Sequence, residues 1–249
     1  MNRQWNPCIG IALAALALAG CASMAREQNP DYAAVVAAPD RSAADRKTDE
    51  RRKPAELLAF AGVGPGMKVL DMGAGGGYST ELLARAVAPG GVVYAQDAPD
   101  GNERALAAFK ARSQSPAMKN VVRVLRPYED PVPPGVSDLD VITYFFEYHE
   151  AANMGIDRVK MDRRLFDALK PGGILIVADH SAQAGTGTAA THSLHRIDEA
   201  LVRREFEAAG FRLAGEGEFL RSPGDKRDVI VFKSPVPVDD FVLKFQKPG

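Results

Sequence analysis

A glycine-rich stretch, residues 71–78, carries the most readily recognised chemistry in this chain of 249 residues. It reads Asp-Met-Gly-Ala-Gly-Gly-Gly-Tyr and begins at the last residue of the short apolar segment Met67–Asp71. Glycines directly after a first strand let a ligand approach the backbone closely. The dinucleotide pattern GxGxxG fails in both registers, because its third glycine would fall on Tyr78 or Thr80, and GxxxxGK[ST] is absent. The acid that precedes the glycines would also repel a pyrophosphate, so the stretch argues against a phosphate-bearing ligand.

All four histidines of the chain lie between residues 149 and 195. His149 and His180 each follow a strand-like segment, and the carboxyl ends of parallel strands face the ligand crevice of an open sheet. A histidine there can act as a general base toward a hydroxyl or thiol. We expect His149 to be that base, with Tyr148 shaping the pocket, His180 as second candidate and Asp179 orienting either histidine. The alternative is that each histidine is an ordinary polar residue near a strand end.

A metal site is the less favoured interpretation of the remaining histidines. His192 and His195 are three positions apart and would share a helix face, and with His180 they could bind a metal. No HExxH or other strong metal-ligand spacing is present, so we expect no metal. Arg196 and Asp198 are expected to form a structural ion pair or to contact a substrate.

The elements that must position these residues alternate between strand-like and helix-like segments, which predicts a parallel sheet covered by helices on both faces. The final segments have no helix between them and should form an antiparallel hairpin at one edge. The predicted strands are Met67–Asp71, Val92–Asp97, Val121–Leu125, Asp140–Phe145, Ile174–Ala178, Phe211–Gly215, Val229–Phe232 and Phe241–Phe245. The predicted helices include Pro54–Phe60, Ser79–Val87, Asn102–Arg112 and Ile197–Ala209, together with one that presents Val159 and Leu165 on a single face.

Composition excludes several classes of protein. Lys and Arg number 31 and Asp and Glu 32, for a net charge of -1, which argues against a nucleic-acid partner. Hydrophobic residues make up 46% and charged residues 25%, the mixture of a globular domain. With 2 cysteines the chain can be neither a disulfide scaffold nor a four-cysteine zinc protein.

The N-terminus has the features of an export signal. One positive charge, Arg3, precedes an apolar run over 9–20 that is too short for a membrane span, which needs roughly 20 residues. The run ends Leu-Ala-Gly-Cys at Cys21, which resembles the lipobox of bacterial lipoproteins and implies cleavage before Cys21, lipidation of its thiol and a periplasmic membrane anchor. We therefore expect a signal peptide over 1–20, a tether over 21–44 and one domain over 45–249. An ordinary cleaved signal with an incidental cysteine is the alternative.

Together these motifs resemble the class I S-adenosylmethionine-dependent methyltransferases. The pattern DxGxGxG leads into a second strand that ends in Asp97, where a carboxylate can accept both ribose hydroxyls. The Lys-Pro-Gly-Gly turn at 170–173 and the segment Glu207–Phe211 add to the likeness. The resemblance implies a Rossmann-like α/β fold with a mostly parallel seven-stranded sheet. It also implies S-adenosylmethionine as cofactor, bound by Asp71, Gly73, Gly75, Gly77, Tyr78 and Asp97, although Tyr78 could instead simply pack on its helix.

The chain departs from this class at two places, one of which concerns binding of the adenine ring and the other the choice of methyl acceptor. The acid usually found just after strand three, against the adenine amine, is displaced to Glu129 or Asp130 or is missing. No Asn/Asp-Pro-Pro-Tyr motif follows strand four, which disfavours amide or adenine-amine acceptors and favours a small molecule. Segments such as 194–199 and 241–245 also look like a family of exported predicted methyltransferases, which implies no acceptor.

Two other functions compete with methyl transfer. S-adenosylmethionine is made in the cytoplasm, so an exported protein could use the same scaffold to bind another ligand without methyl transfer. The displaced acid after strand three favours this alternative, and the intact Asp71 and Asp97 oppose it. A nicotinamide-dependent oxidoreductase is disfavoured by the failure of the GxGxxG pattern.

Overall fold

The computed structural model describes residues 1–2 and 29–249. The predicted signal peptide, apart from its first two residues, and Cys21 lie outside the described residues. Within the described ranges, no helix is both long and apolar enough to cross a membrane.

A mixed seven-stranded sheet with the strand order β3-β2-β1-β4-β5-β7-β6 forms the centre of the domain. The first five strands are parallel, and β7 lies antiparallel between β5 and β6. The strands are β1 (Lys68–Met72), β2 (Val92–Asp97), β3 (Val121–Leu125), β4 (Leu139–Phe145), β5 (Leu169–His180), β6 (Arg212–Gly217) and β7 (Asp240–Gln246). The predicted fold class, including the antiparallel edge, is confirmed.

Nine α-helices surround this sheet in the described part of the chain. They are α1 (Tyr32–Ala37), α2 (Ala43–Arg52), α3 (Pro54–Ala61), α4 (Tyr78–Val87), α5 (Glu103–Arg112), α6 (Tyr148–Asn153), α7 (Arg158–Ala168), α8 (Thr191–Leu194) and α9 (Glu199–Ala208). Short 3₁₀ turns cover Pro116–Met118 and Val231–Lys233.

Both faces of the sheet are buried because successive side chains of a strand point to opposite sides. In β5, Leu175 and Val177 pack with one core, and Ile176 and Ala178 pack with the other. Register aligns the strand ends as well: Asp71 lies beside Thr143 of β4. The carboxyl ends of β1, β2, β4 and β5 therefore form one edge of the sheet, where a ligand crevice is expected.

The described part of the predicted tether is folded onto the domain, contrary to the sequence-based expectation. The Tyr32 hydroxyl donates to the Val63 carbonyl at 2.8 Å, and Val35 and Val36 pack against one of the two cores. The Arg41 guanidinium forms two hydrogen bonds with Asp49 at 2.7 and 2.8 Å. The sequence did not predict this packing because only one face of such short helices contacts the domain. The other residues of the segment are polar, and they dominate its composition.

The predicted strand Val229–Phe232 is wrong, since a 3₁₀ turn occupies Val231–Lys233. β7 already pairs with β5 on one side and β6 on the other, so it has no free edge beside which the segment could extend. The segment instead passes over the edge formed by the strand ends, and Phe232 remains largely exposed.

Candidate functional site

The glycine loop joins β1 to α4 and forms one wall of a cavity of about 420 Å³, here called the loop cavity. Gly73, Gly75 and Gly77 have positive φ angles of 62°, 53° and 82°, a region that side chains rarely adopt. The first two line the cavity. Gly77 is the N-cap residue that precedes α4. It faces Phe109, which a Cβ on Gly77 would approach to 3.0 Å, so its role is structural.

Asp71 lies at the floor of the loop cavity and is 1% exposed. Thr80 donates to one of its carboxylate oxygens at 2.6 Å and Thr143 to the other at 2.9 Å. Burial raises the pKa of Asp71 to about 6, although these hydrogen bonds favour the ionised form. At neutral pH the loop cavity thus holds a buried negative charge suited to a cationic group.

Tyr78, at the start of α4, forms part of the wall of the loop cavity. Its hydroxyl donates to Asp49 at 2.6 Å, and the Arg52 guanidinium lies 5.4 Å from its ring centre. The Tyr78 side chain therefore borders the cavity, and its hydroxyl ties α4 to α2.

Arg51 and Arg52, at the end of α2, also line the loop cavity and were not identified from the sequence. The Arg52 guanidinium stacks 4.6 Å from the Phe146 ring centre, and its Nε is buried without a hydrogen-bond partner among the described residues. An anionic group in the cleft would satisfy it. Both arginines belong to a dense run of charged residues without apolar periodicity. Such a run is typical of a solvated surface, so the sequence did not single them out.

Asp97 ends β2 in a second cavity of about 370 Å³, the Asp97 cavity. One carboxylate oxygen accepts the Gly75 N–H at 3.1 Å, and the other pairs with Arg123. Burial raises the pKa of Asp97, and the Arg123 charge opposes the rise. The carboxylate therefore faces a pocket that begins at the glycine loop, as predicted, and carries a cationic neighbour that the sequence did not indicate.

The turn after β3 contributes an aromatic residue in place of the displaced acid. Tyr128 lines the Asp97 cavity, and neither Glu129 nor Asp130 is among its lining residues. Asp130 instead pairs with Arg126 and Arg164, which explains its position away from the cleft.

The histidine cavity, of about 390 Å³, lies beyond the ends of β4 and β5. His149, Glu150 and His180 line it, together with Phe232 of the 3₁₀ turn. Tyr148 does not reach it: its side chain is fully buried in the core, and its hydroxyl donates to Asp162 at 2.9 Å. The expectation that Tyr148 shapes the pocket is corrected, because the first turn of α6 directs adjacent side chains to opposite sides.

His149 is held by two carboxylates. Its Nδ1 lies 2.7 Å from Asp179, which also accepts the His149 backbone N–H at 2.8 Å, and its Nε2 lies 3.3 Å from Glu150. Burial alone would lower the pKa of His149, but the charges of Asp179 and Glu150 raise it to about 10. A protonated imidazole has no free lone pair, so these surroundings do not favour the general-base role predicted for His149.

The other histidines have separate partners. His180 Nδ1 lies 2.7 Å from Asp240, so Asp179 orients His149 and Asp240 orients His180. His195 Nδ1 lies 2.6 Å from Glu150. The fourth, His192, contacts Asn153 at 3.2 Å and is not part of the group. The grouping of His180, His192 and His195 suggested by spacing is therefore not the one that forms.

Arg196 and Asp198 have structural partners. The fully buried Arg196 pairs with Asp225 at 2.8 Å and donates to the Ser181 carbonyl at 3.1 Å. Asp198 caps α9 by accepting the Ala200 N–H at 3.0 Å. The ion-pair expectation holds for Arg196, but its partner is Asp225.

Glu147 lies where the loop, Asp97 and histidine cavities meet, because it lines all three. The preceding residue, Phe146, has a φ of 62°, a costly conformation for an aromatic residue and one that directs the chain back over the strand ends. A Cβ on Gly73 would lie 2.7 Å from Glu147 Cγ, so the loop needs glycine here to admit Glu147. Burial raises the pKa of Glu147 to about 8. Its position next to a strand end was the only sequence signal.

Comparisons with known proteins agree with this geometry. The methyltransferase domain family matches residues 64–210, more than half of the chain. A protein-L-isoaspartate O-methyltransferase from Aeropyrum pernix is 68% identical over 31 residues, so the match spans 12% of this chain and 12% of that relative.

Solved structures share the fold at low identity. A SAM-dependent methyltransferase from Aquifex aeolicus is 22% identical, with a TM-score of 0.58 over 82% of this chain and 97% of that one. An arsenic(III) S-adenosylmethionine methyltransferase from Chlamydomonas reinhardtii is 17% identical, with a TM-score of 0.57 over 89% and 74%. A TehB-like SAM-dependent methyltransferase from Corynebacterium glutamicum is 17% identical, with a TM-score of 0.53 over 82% and 98%. The chain therefore belongs to the methyltransferase domain family of class I enzymes, whose cofactor is S-adenosylmethionine.

Proposed function

We propose that this chain transfers the methyl group of S-adenosylmethionine to a small-molecule hydroxyl or thiol that enters through the histidine cavity. The position of Glu147 carries the proposal, since it separates two cavities with the features of a cofactor site from a third that is free for an acceptor.

The residues present fit the cofactor. The buried Asp71 carboxylate suits the ammonium of the methionine end. Arg52, whose Nε has no hydrogen-bond partner in the part of the chain that the structure describes, suits the carboxylate of the same end. Asp97 suits the ribose hydroxyls, and Tyr128 offers an aromatic wall for the adenine ring of the cofactor. Because Gly73 has no Cβ that would clash with Glu147, the Glu147 side chain can reach the centre of the cleft.

Bound S-adenosylmethionine supplies an electrophilic methyl group for in-line displacement. The chain contributes position first, because holding two reactants in line lowers a barrier by roughly 7–11 kcal/mol. Glu147, in the ionised form that predominates above its pKa of about 8, takes the proton of the acceptor hydroxyl or thiol. Its place between the cavities supports this role, which contributes typically 10²–10⁴-fold. His149 and His180 are fixed by Asp179 and Asp240 and form the polar wall of the acceptor cavity.

Calorimetric titration with S-adenosylmethionine and S-adenosylhomocysteine, followed by transfer of a labelled methyl group to a panel of small hydroxyl and thiol compounds, tests this function. We expect micromolar binding and label in at least one compound. Binding without transfer to any acceptor would favour a repurposed binding protein. No binding up to millimolar concentration by the folded protein would overturn the cofactor assignment.

We further propose that the protein is exported and anchored by lipid at Cys21 on the periplasmic side of a bacterial membrane. The Leu-Ala-Gly-Cys sequence that ends at Cys21 supports this. In cell fractionation, Cys21→Ser should move the protein from the membrane to the soluble fraction. Unchanged membrane association of the variant would contradict lipid as the sole anchor.

A further inference from the structure

The adjacent residues His149 and Glu150 meet His195, which is 45 positions beyond Glu150, beside the histidine cavity. Each of His149, Glu150 and His195 offers one ligand atom, and these atoms all lie within 4.8 Å of one another. His149 Nε2 is 3.3 Å and His195 Nδ1 is 2.6 Å from the same Glu150 oxygen. Ligands about 2.1 Å from a tetrahedral ion stand about 3.4 Å apart, so small side-chain rotations would surround an ion.

The carboxylate behind His149 is the arrangement that metal-binding histidines use. Asp179 is fully buried and accepts from His149 Nδ1, which fixes the ring and directs Nε2 toward Glu150. Such outer carboxylates set the tautomer and raise the basicity of the ligand nitrogen. His180 and Asp240 form a similar histidine–carboxylate pair beside it. The ring centres of His149 and His180 lie 5.6 Å apart.

We propose that His149, Glu150 and His195 bind a divalent transition-metal ion of the zinc class. Two imidazoles and one carboxylate suit such an ion, whereas Mg²⁺ and Ca²⁺ prefer oxygen ligands. His149 and Glu150 line the histidine cavity, and Glu150 also lines the Asp97 cavity, so the fourth position opens onto the cleft. This is the open geometry of a ligand-exchanging site rather than a closed structural one.

Equilibrium dialysis against Zn²⁺, with metal content measured on full-length chain produced without a polyhistidine tag, tests the site. We expect one equivalent of zinc in the unaltered protein. His195→Ala should weaken binding by more than about 100-fold, since losing even an outer partner costs 10–100-fold. The matched control is His192→Ala, because His192 lies in the same segment and, among the described residues, its ring hydrogen-bonds Asn153 and is not one of the three proposed ligands. It should bind zinc as tightly as the unaltered chain.

Two further measurements separate the metal from fold and function. Glu150→Gln provides a second ligand variant should His195→Ala fail to fold, and it should also lose zinc. His195 lines neither the loop nor the Asp97 cavity, so His195→Ala should bind S-adenosylmethionine normally, which keeps the two proposals distinguishable. Zinc binding that is absent from the unaltered chain, or equal in the ligand variants, would overturn the site.

Discussion

The cleft has two sides that are built differently. The glycine-loop side takes Asp71, Gly73, Gly75 and Tyr78 from one continuous stretch, with Asp97 from the next strand. The histidine side takes its groups from α6, β5, the end of α8 and the start of β7. His180 and its partner Asp240, for example, are 60 positions apart. The first side is assembled by local backbone geometry and the second by the order of the strands.

This difference separates what each side can do. The loop side presents backbone groups and the two carboxylates of Asp71 and Asp97, which suits recognition of one fixed ligand. The histidine side presents charged groups that lie in contact with one another; His149, for example, lies between the carboxylates of Asp179 and Glu150. Glu147 lies between the two, and changes on either side of it should therefore affect binding and chemistry separately.

Glu147→Gln should produce the largest effect. The amide keeps the shape of the side chain and cannot take a proton, so kcat should fall by about 10²–10⁴-fold while the affinity for S-adenosylmethionine stays near that of the unaltered chain. Methyl-transfer kinetics and calorimetry measure the two quantities. Glu129→Gln is the control, because Glu129 is among the lining residues of none of the three cavities. An unchanged kcat for Glu147→Gln would remove Glu147 from the chemistry and break the division between the two sides.

Asp97→Asn should have an intermediate effect, confined to binding. Loss of the charged acceptor for the ribose hydroxyls should weaken cofactor binding by about 1–3 kcal/mol, while the remaining amide oxygen can still accept the Gly75 N–H. Calorimetry measures the change, and the exposed Asp100→Asn serves as control. Equal affinities for the two variants would exclude Asp97 from the cofactor site.

The smallest effect concerns pH. Asp71 is ionised above its pKa of about 6 and neutral below it, so affinity for the cationic cofactor should fall as the pH drops from 7.5 to 5. The loss should be about 10-fold, because about one Asp71 carboxyl group in ten remains ionised one pH unit below its pKa of about 6. In titrations at several pH values, Asp71→Asn should bind more weakly and show a flatter profile. A steep profile that survives in Asp71→Asn would assign the effect to another group.

The loop side could be predicted almost entirely from the sequence. The positions of Asp71, Gly73 and Gly75 in the cleft follow from a strand, a turn and a helix that succeed one another along the chain. Gly77 was one exception, since its packing against Phe109 is a long-range contact. Arg51 and Arg52 were the others, since they stand in a charge run that is typical of a solvated surface. Tyr128 replaced the expected acid because ion pairing holds Asp130 elsewhere.

The histidine side could be predicted only as a region. Strand ends placed His149 and His180 correctly at the crevice, but not their charge partners. Tyr148 was misplaced because whether a side chain next to a strand end faces the core or the cleft depends on the first turn of the helix that follows. Glu147 drew no attention because a single acid has no pattern of its own.

By itself, the sequence determined the fold class, the glycine loop and the acid at the end of β2, since these depend on hydrophobic periodicity and on residues close along the chain. Only the tertiary structure decided that Glu147 lies where three cavities meet, that Glu150 lies between His149 and His195, and that the segment from Tyr32 on belongs to the domain. In the histidine group the contact between Glu150 and His195 joins residues 45 positions apart. Burial of the intervening chain, which no local pattern records, brings them together.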